Sequence, residues 1–111
     1  MIHVIRTHTT VQERRDMLET LQTYIKLAVD VRRRVVAGGG AMHADAEAAL
    51  LEDGSRQADV WGADWVPKGN TVRFESLINI RPKQDNRSMA IVDPALRSTI
   101  ESIILERIGG T

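Results

Sequence analysis

The chain has 111 residues, 42% of them apolar and 27% charged, the size and balance of one globular domain that buries about two thirds of its unfolded surface. Fifteen Lys and Arg match fifteen Asp and Glu, so no global field draws the protein onto nucleic acid or an anionic membrane, and a histone-like or acidic-tail protein is disfavoured. The absence of cysteine removes disulfides, thiolate catalysis and cysteine-bound zinc or iron-sulfur centres, and fits a reducing cytoplasm.

The N-terminal MIHVIRTHTT lacks the layout of a signal peptide, and no apolar run approaches the ~20 residues that span a bilayer, so the expectation is a soluble cytoplasmic protein without a membrane partner. Ile2, Val4 and Ile5 mark a short edge strand. Thr10 stands three residues before Glu13, the spacing of a capping box, and predicts the first helix, with Val11, Leu18, Leu21 and Tyr24 or Ile25 on its buried stripe. From Ile25 the period changes to two: Ile25, Leu27, Val29 and Val31 alternate with Lys26, Ala28, Asp30 and Arg32, as in a half-buried strand. Arg32, Arg33 and Arg34 then read as a solvated hairpin turn before Val35 to Ala37. Gly38, Gly39 and Gly40 break regular structure, and residues 42–53 predict a second helix stopped by Gly54. Val60 to Val66, a turn at Pro67 to Asn70, and alternation through Val72, Phe74, Ser76, Ile78 and Ile80 form the clearest hairpin. A polar loop and the short apolar stretch Met89 to Val92 come next. Asp93-Pro94 opens a last helix on the stripe Leu96, Ile100, Ile103 and Ile104. The order β-α-β-β-α-β-β-(β)-α describes one α+β domain over residues 1–111, a mostly antiparallel sheet of five or six strands with three helices.

Two runs, AGGGAMHADAEAALLEDGSRQADVWGADW at residues 37–65 and INIRPKQDNRSMAIVDP at 78–94, resemble a small prokaryotic protein family known as a domain of unknown function. The resemblance implies a single domain and brings no activity, cofactor or catalytic residue with it.

Three clusters have chemical potential. His43 and Glu47 are four apart on the second helix, with Asp45, Glu52 and Asp53 nearby; that spacing suits a divalent metal or acid-base work, to which His3 and His8 could add, while first-turn acids equally serve the helix dipole. The glycine run before a helix resembles a phosphate cradle without the sequence of a Walker or dinucleotide motif, and equally suits a plain loop. Asn79, Arg81, Lys83, Asn86, Arg87 and Ser88 could grip a carboxylate or phosphate, or pin their loop onto the acidic helix. Trp61 and Trp65 face one way along a strand and either seal the core or wall a pocket. With four aromatic residues, nucleic-acid binding is the weakest reading.

No motif fixes a reaction, and every one of these groups has a structural use, so the leading expectation is a non-catalytic interaction or structural domain that self-associates as a homodimer. The alternative is a small enzyme or binder of an anionic or phosphate-bearing small molecule, metal-assisted or not, with its pocket between residues 38–53 and 79–88. There His43, Glu47 and Asp53 would be catalytic, and Gly39, Gly40, Trp61, Asn79, Arg81 and Arg87 would hold the ligand. In that alternative, alanine at His43 or Arg81 abolishes binding with little change in melting temperature.

Overall fold

A computed structural model describes residues 1–110. The elements are β1 (His3–Ile5), α1 (Val11–Leu18), β2 (Ile25–Asp30), β3 (Val35–Gly38), α2 (His43–Glu52), β4 (Val60–Val66), β5 (Thr71–Arg73) and α3 (Pro94–Arg107). The strands form one antiparallel sheet in the order β1-β3-β2-β4-β5, and the fold is α+β.

The two-residue alternation divides the strands between two cores. Ile25, Leu27, Val29, Val36, Trp61, Ala63 and Trp65 pack with Met17 of α1 and Ile100, Ile103 and Ile104 of α3. The intervening Ala28, Val35, Ala37 and Val60 pack against Ala46 and Leu50 of α2. Helices therefore cover both faces, and the α2 face is built from smaller side chains.

The capping box opens α1 as its spacing predicts: Glu13 N donates to Thr10 Oγ1 at 3.0 Å and Thr10 N to Glu13 Oε1 at 2.8 Å. The helix ends at Leu18, however, and the stripe through Leu21 and Tyr24 does not form. Gln22 adopts a left-handed φ of 72°, which turns the chain into β2; Met17 is the buried residue of α1 and Val11 is 68% exposed. The β2–β3 turn forms at the arginine run without Gly, Asn or Pro because Asp30 Oδ1 accepts from both Arg32 N and Arg33 N at 2.9 Å.

The second hairpin departs from expectation beyond its turn. Its return strand stops at Arg73 rather than running to Ile80; the chain continues through a lone bridge between Glu75 and Ala90 into a 3-10 turn at Leu77–Asn79. The cause lies on β4, where Gly62 leaves room above the strand. A Cβ there would lie 2.6 Å from Ser76 Cβ and 2.9 Å from Ile78 Cγ1. Asn79 then does with its side chain what a neighbouring strand does with its backbone: Gly62 N donates to Asn79 Oδ1 at 2.8 Å, and Asn79 Nδ2 donates to Gly62 O at 2.9 Å. Met89 to Val92 likewise forms no strand beyond the Ala90 bridge, since Asn86 Nδ2 donates to Ser88 O and Ala90 O and its Oδ1 accepts from Val92 N.

Candidate functional site

α2 begins at His43 without a side-chain cap, and the ring turns to the sheet. His43 Nε2 lies 2.8 Å from Asp64 Oδ1. Asp64 sits on β4 opposite Lys26 of β2 and Arg73 of β5; its other oxygen lies 3.3 Å from Arg73 Nε, and the Arg73 guanidinium stacks 4.6 Å from the Tyr24 ring centroid. The His43 and Asp64 side chains are each 11% exposed. An ionised carboxylate only accepts, so Nε2 carries the hydrogen of this contact and Nδ1 is left as the ring's second polar atom. Nδ1 has no hydrogen-bond partner among the described residues and is not sealed from solvent.

His43 and Asp64 face a cleft of about 310 Å³, whose walls include Lys26, Met42, Ser76 and Met89. A neighbouring cleft of about 510 Å³ lies between Glu47 of α2 and the 77–84 segment. Both are lined by Leu77 and Ile78, so they adjoin at the 3-10 turn, each at the volume scale of small-molecule sites.

The other sequence candidates disperse. Glu47 faces the second cleft but is held by Arg81 at 3.2 Å. Arg81 also donates to Ile78 O at 3.0 Å and Gln57 O at 2.7 Å, and lies 4.7 Å from the centroid of the buried Trp61 ring. Burial pushes its guanidinium below the ordinary arginine value, and Glu47 offsets part of that. Asp53 lies at the opposite end of α2 from His43, roughly 15 Å away along the helix axis, and pairs with Arg33 at 2.8 Å and with Arg6. Asn79 is fully buried with its amide spent on backbone groups. Arg87 is exposed. Gly39 and Gly40 serve close packing, since a Cβ on Gly39 (φ 116°) would collide with Met1 O and one on Gly40 would lie 2.7 Å from Ile2 Cδ1. Among the described residues no three His, Asp or Glu side chains gather as a metal site.

Sequence reasoning missed Lys26, Asp64 and Arg73. The signal was present for the first two: Lys26 alternates with core-facing Ile25 and Leu27, and Asp64 stands out of phase with Trp61 and Trp65, so both point to the α2 face.

A family model described as "Protein of unknown function (DUF5674)" matches residues 3–107, a span containing every strand and helix of the fold. The chain belongs to this family. No curated protein and no solved structure matches it, so the cleft of this DUF5674 chain stands on its own geometry. Among its described residues no helix is long and apolar enough to cross a membrane.

Asp53 yields a pH prediction. Its hydrogen bond from Arg33, opposed by burial and reinforced by Arg6, holds its carboxyl below the ordinary aspartate value. A depressed carboxylate contributes stability above its unfolded value of about 3.9, which is lost as pH falls through the folded value. Urea unfolding should show Asp53→Asn less stable than wild type at pH 7, with the gap closing below about pH 4. A gap that persists unchanged in acid would contradict the assignment.

Proposed function

We propose that this DUF5674 protein binds a small molecule in the cleft beside His43 and exchanges a proton with it, acting in the cytoplasm. The carrying observation is the Asp64-anchored imidazole on the wall of the cleft, its second nitrogen without a partner among the described residues. A carboxylate that fixes one ring nitrogen sets the tautomer and orientation of the other and stabilises the imidazolium that forms when it accepts a proton. Arg73 pairs with the outer oxygen of Asp64 at 3.3 Å and holds the carboxylate in place from the other side. His43 is the acid-base group in this reading; Glu47 and Asp53 are braces, because each is already engaged by arginine.

Ligand-observed NMR against carboxylates, phosphates, amines and nucleosides tests it. At least one class should bind wild type and perturb the His43 ring resonances, and His43→Gln should weaken that binding about tenfold or more, as for loss of one strong hydrogen bond. Binding by none of these classes, or binding indifferent to His43→Gln, overturns the proposal.

Self-association is supported by a separate observation. Met42, Leu77, Ile80 and Met89 surround the two clefts and are all exposed, a grouping of large apolar side chains of the kind that marks interaction surfaces. Sedimentation velocity should then show a dimer that Leu77→Ser disperses; a monomer at every concentration removes this reading.

A further inference from the structure

We infer that the ligand is an amphipathic monoanion, a single carboxylate on an unbranched aliphatic body, with its head at Lys26 and its body lying over Leu77 and Ile78 toward Ile80. This rests on the binding reading proposed for the His43 cleft and narrows it.

Charge locates the head. Lys26 is half-buried in the wall of the His43 cleft and has no ion pair or hydrogen bond among the described residues. The carboxylate across the strand from it, Asp64, is occupied by His43 and Arg73. An ammonium that faces a cleft without a protein counterion offers an entering anion a charge-assisted hydrogen bond. Glu75, the other ionised side chain on that cleft, is exposed and so is screened by water. In the neighbouring cleft Arg81 is already neutralised by Glu47, and Lys83, the remaining charged side chain there, is exposed and screened by water. The half-buried walls therefore present one uncompensated positive charge, at Lys26.

The lining describes the body. Between the two ends run Leu77, Ile78 and Ile80, flanked by Met42 and Met89; Leu77 is 66% and Met42 52% exposed. Thioether side chains adapt to flexible chains. An extended peptide fits less well, because the backbone along the two clefts is satisfied internally: Asn79 N donates to Ser76 O, Ile80 N to Leu77 O, Arg81 N to Asn86 O, and Ser76 N to Met89 O. Little is left for strand addition.

Calorimetric titration of the full chain with hexanoate, octanoate, decanoate and uncharged decanol, all below their micellar or solubility limits, tests this. Affinity should rise about three- to fourfold per added methylene, and decanoate should bind at least about tenfold more tightly than decanol. Lys26→Gln should erase the preference for decanoate over decanol, and Leu77→Ser, at an exposed position, should flatten the length dependence. Short acids that bind through His43 without gain from chain length overturn the amphipathic ligand and leave the acid-base reading standing. Binding to anionic phosphatidylglycerol vesicles with none to free decanoate overturns it in favour of a membrane surface. No binding by any member overturns it outright, and the NMR panel then decides separately whether His43 binds another class.

Discussion

Asn79→Ala should lower the melting temperature by about 8 °C or more. Alanine removes the acceptor of Gly62 N and the donor to Gly62 O, stranding two backbone groups, while Met89 O keeps Ser76 N as its donor. Each unsatisfied buried group costs about 1–3 kcal/mol, so a loss of about 2–6 kcal/mol is expected, a large share of the roughly 5–15 kcal/mol typical of a domain. At about 4 °C or more per kcal/mol in a domain of this size, the shift follows. Asn79→Asp separates this mechanism from simple loss of volume. It keeps the acceptor for Gly62 N but sets a carboxylate against two carbonyl oxygens, so it should be at least as damaging as alanine at neutral pH and partly relieved in acid, where a protonated carboxyl can donate. Thermal and urea unfolding of the two variants at pH 7 and pH 4 checks both points; a shift within about 3 °C for Asn79→Ala would refute the account.

Arg81→Ala should cost about 3 kcal/mol, within the range for breaking a buried ion pair. The Arg81 and Glu47 side chains are 10% and 14% exposed, so removing the guanidinium leaves Glu47 partly desolvated, Ile78 O without its side-chain donor, and the Trp61 ring uncovered. A double-mutant cycle identifies the pair: Glu47→Ala should be much less costly in the Arg81→Ala background than in wild type, whereas equal costs in both would show that the two side chains act independently. The sequence alone leads to lost binding at an unchanged melting temperature for Arg81→Ala; the partners of Arg81 lead instead to a lowered one, and the same unfolding curves decide between them. The residue braces the wall between α2 and the 77–84 segment, and its charge is spent there.

Local signals are readable from the sequence where they are self-contained. The Thr10 and Glu13 box, the alternation of β2, the Pro67 to Asn70 turn and the Asp93-Pro94 start need only neighbours a few residues away, and each forms. The return strand past Arg73 fails because its alternation, Val72 to Ile80, is genuine while the deciding residue, Gly62, lies on another strand. A side-chain amide standing in for a strand has no local pattern. The helix after Thr10 is shorter than its stripe because the left-handed turn falls on Gln22, a residue type that does not announce it. At the cleft, His43 is visible as a titratable group, but its partner Asp64 is 21 positions away and only the antiparallel β2–β4 register, with α2 laid over it, unites them. The arginines are legible as charge and illegible as partners. The run at 32–34 pairs with Asp59, Asp53 and Glu106, and all four aromatic rings carry an arginine within 5.4 Å. Arginine faces used in this way are unavailable for stacking on bases.

The outermost strands, β1 and β5, have three residues each, while the longest, β4 with seven, lies inside the sheet. Short edges offer few free amides and carbonyls to template another chain, which is how folded proteins resist edge-to-edge growth into fibres. Edges this short leave side-chain contacts between faces, rather than a sheet continued across a symmetry axis, as the route open to any second chain.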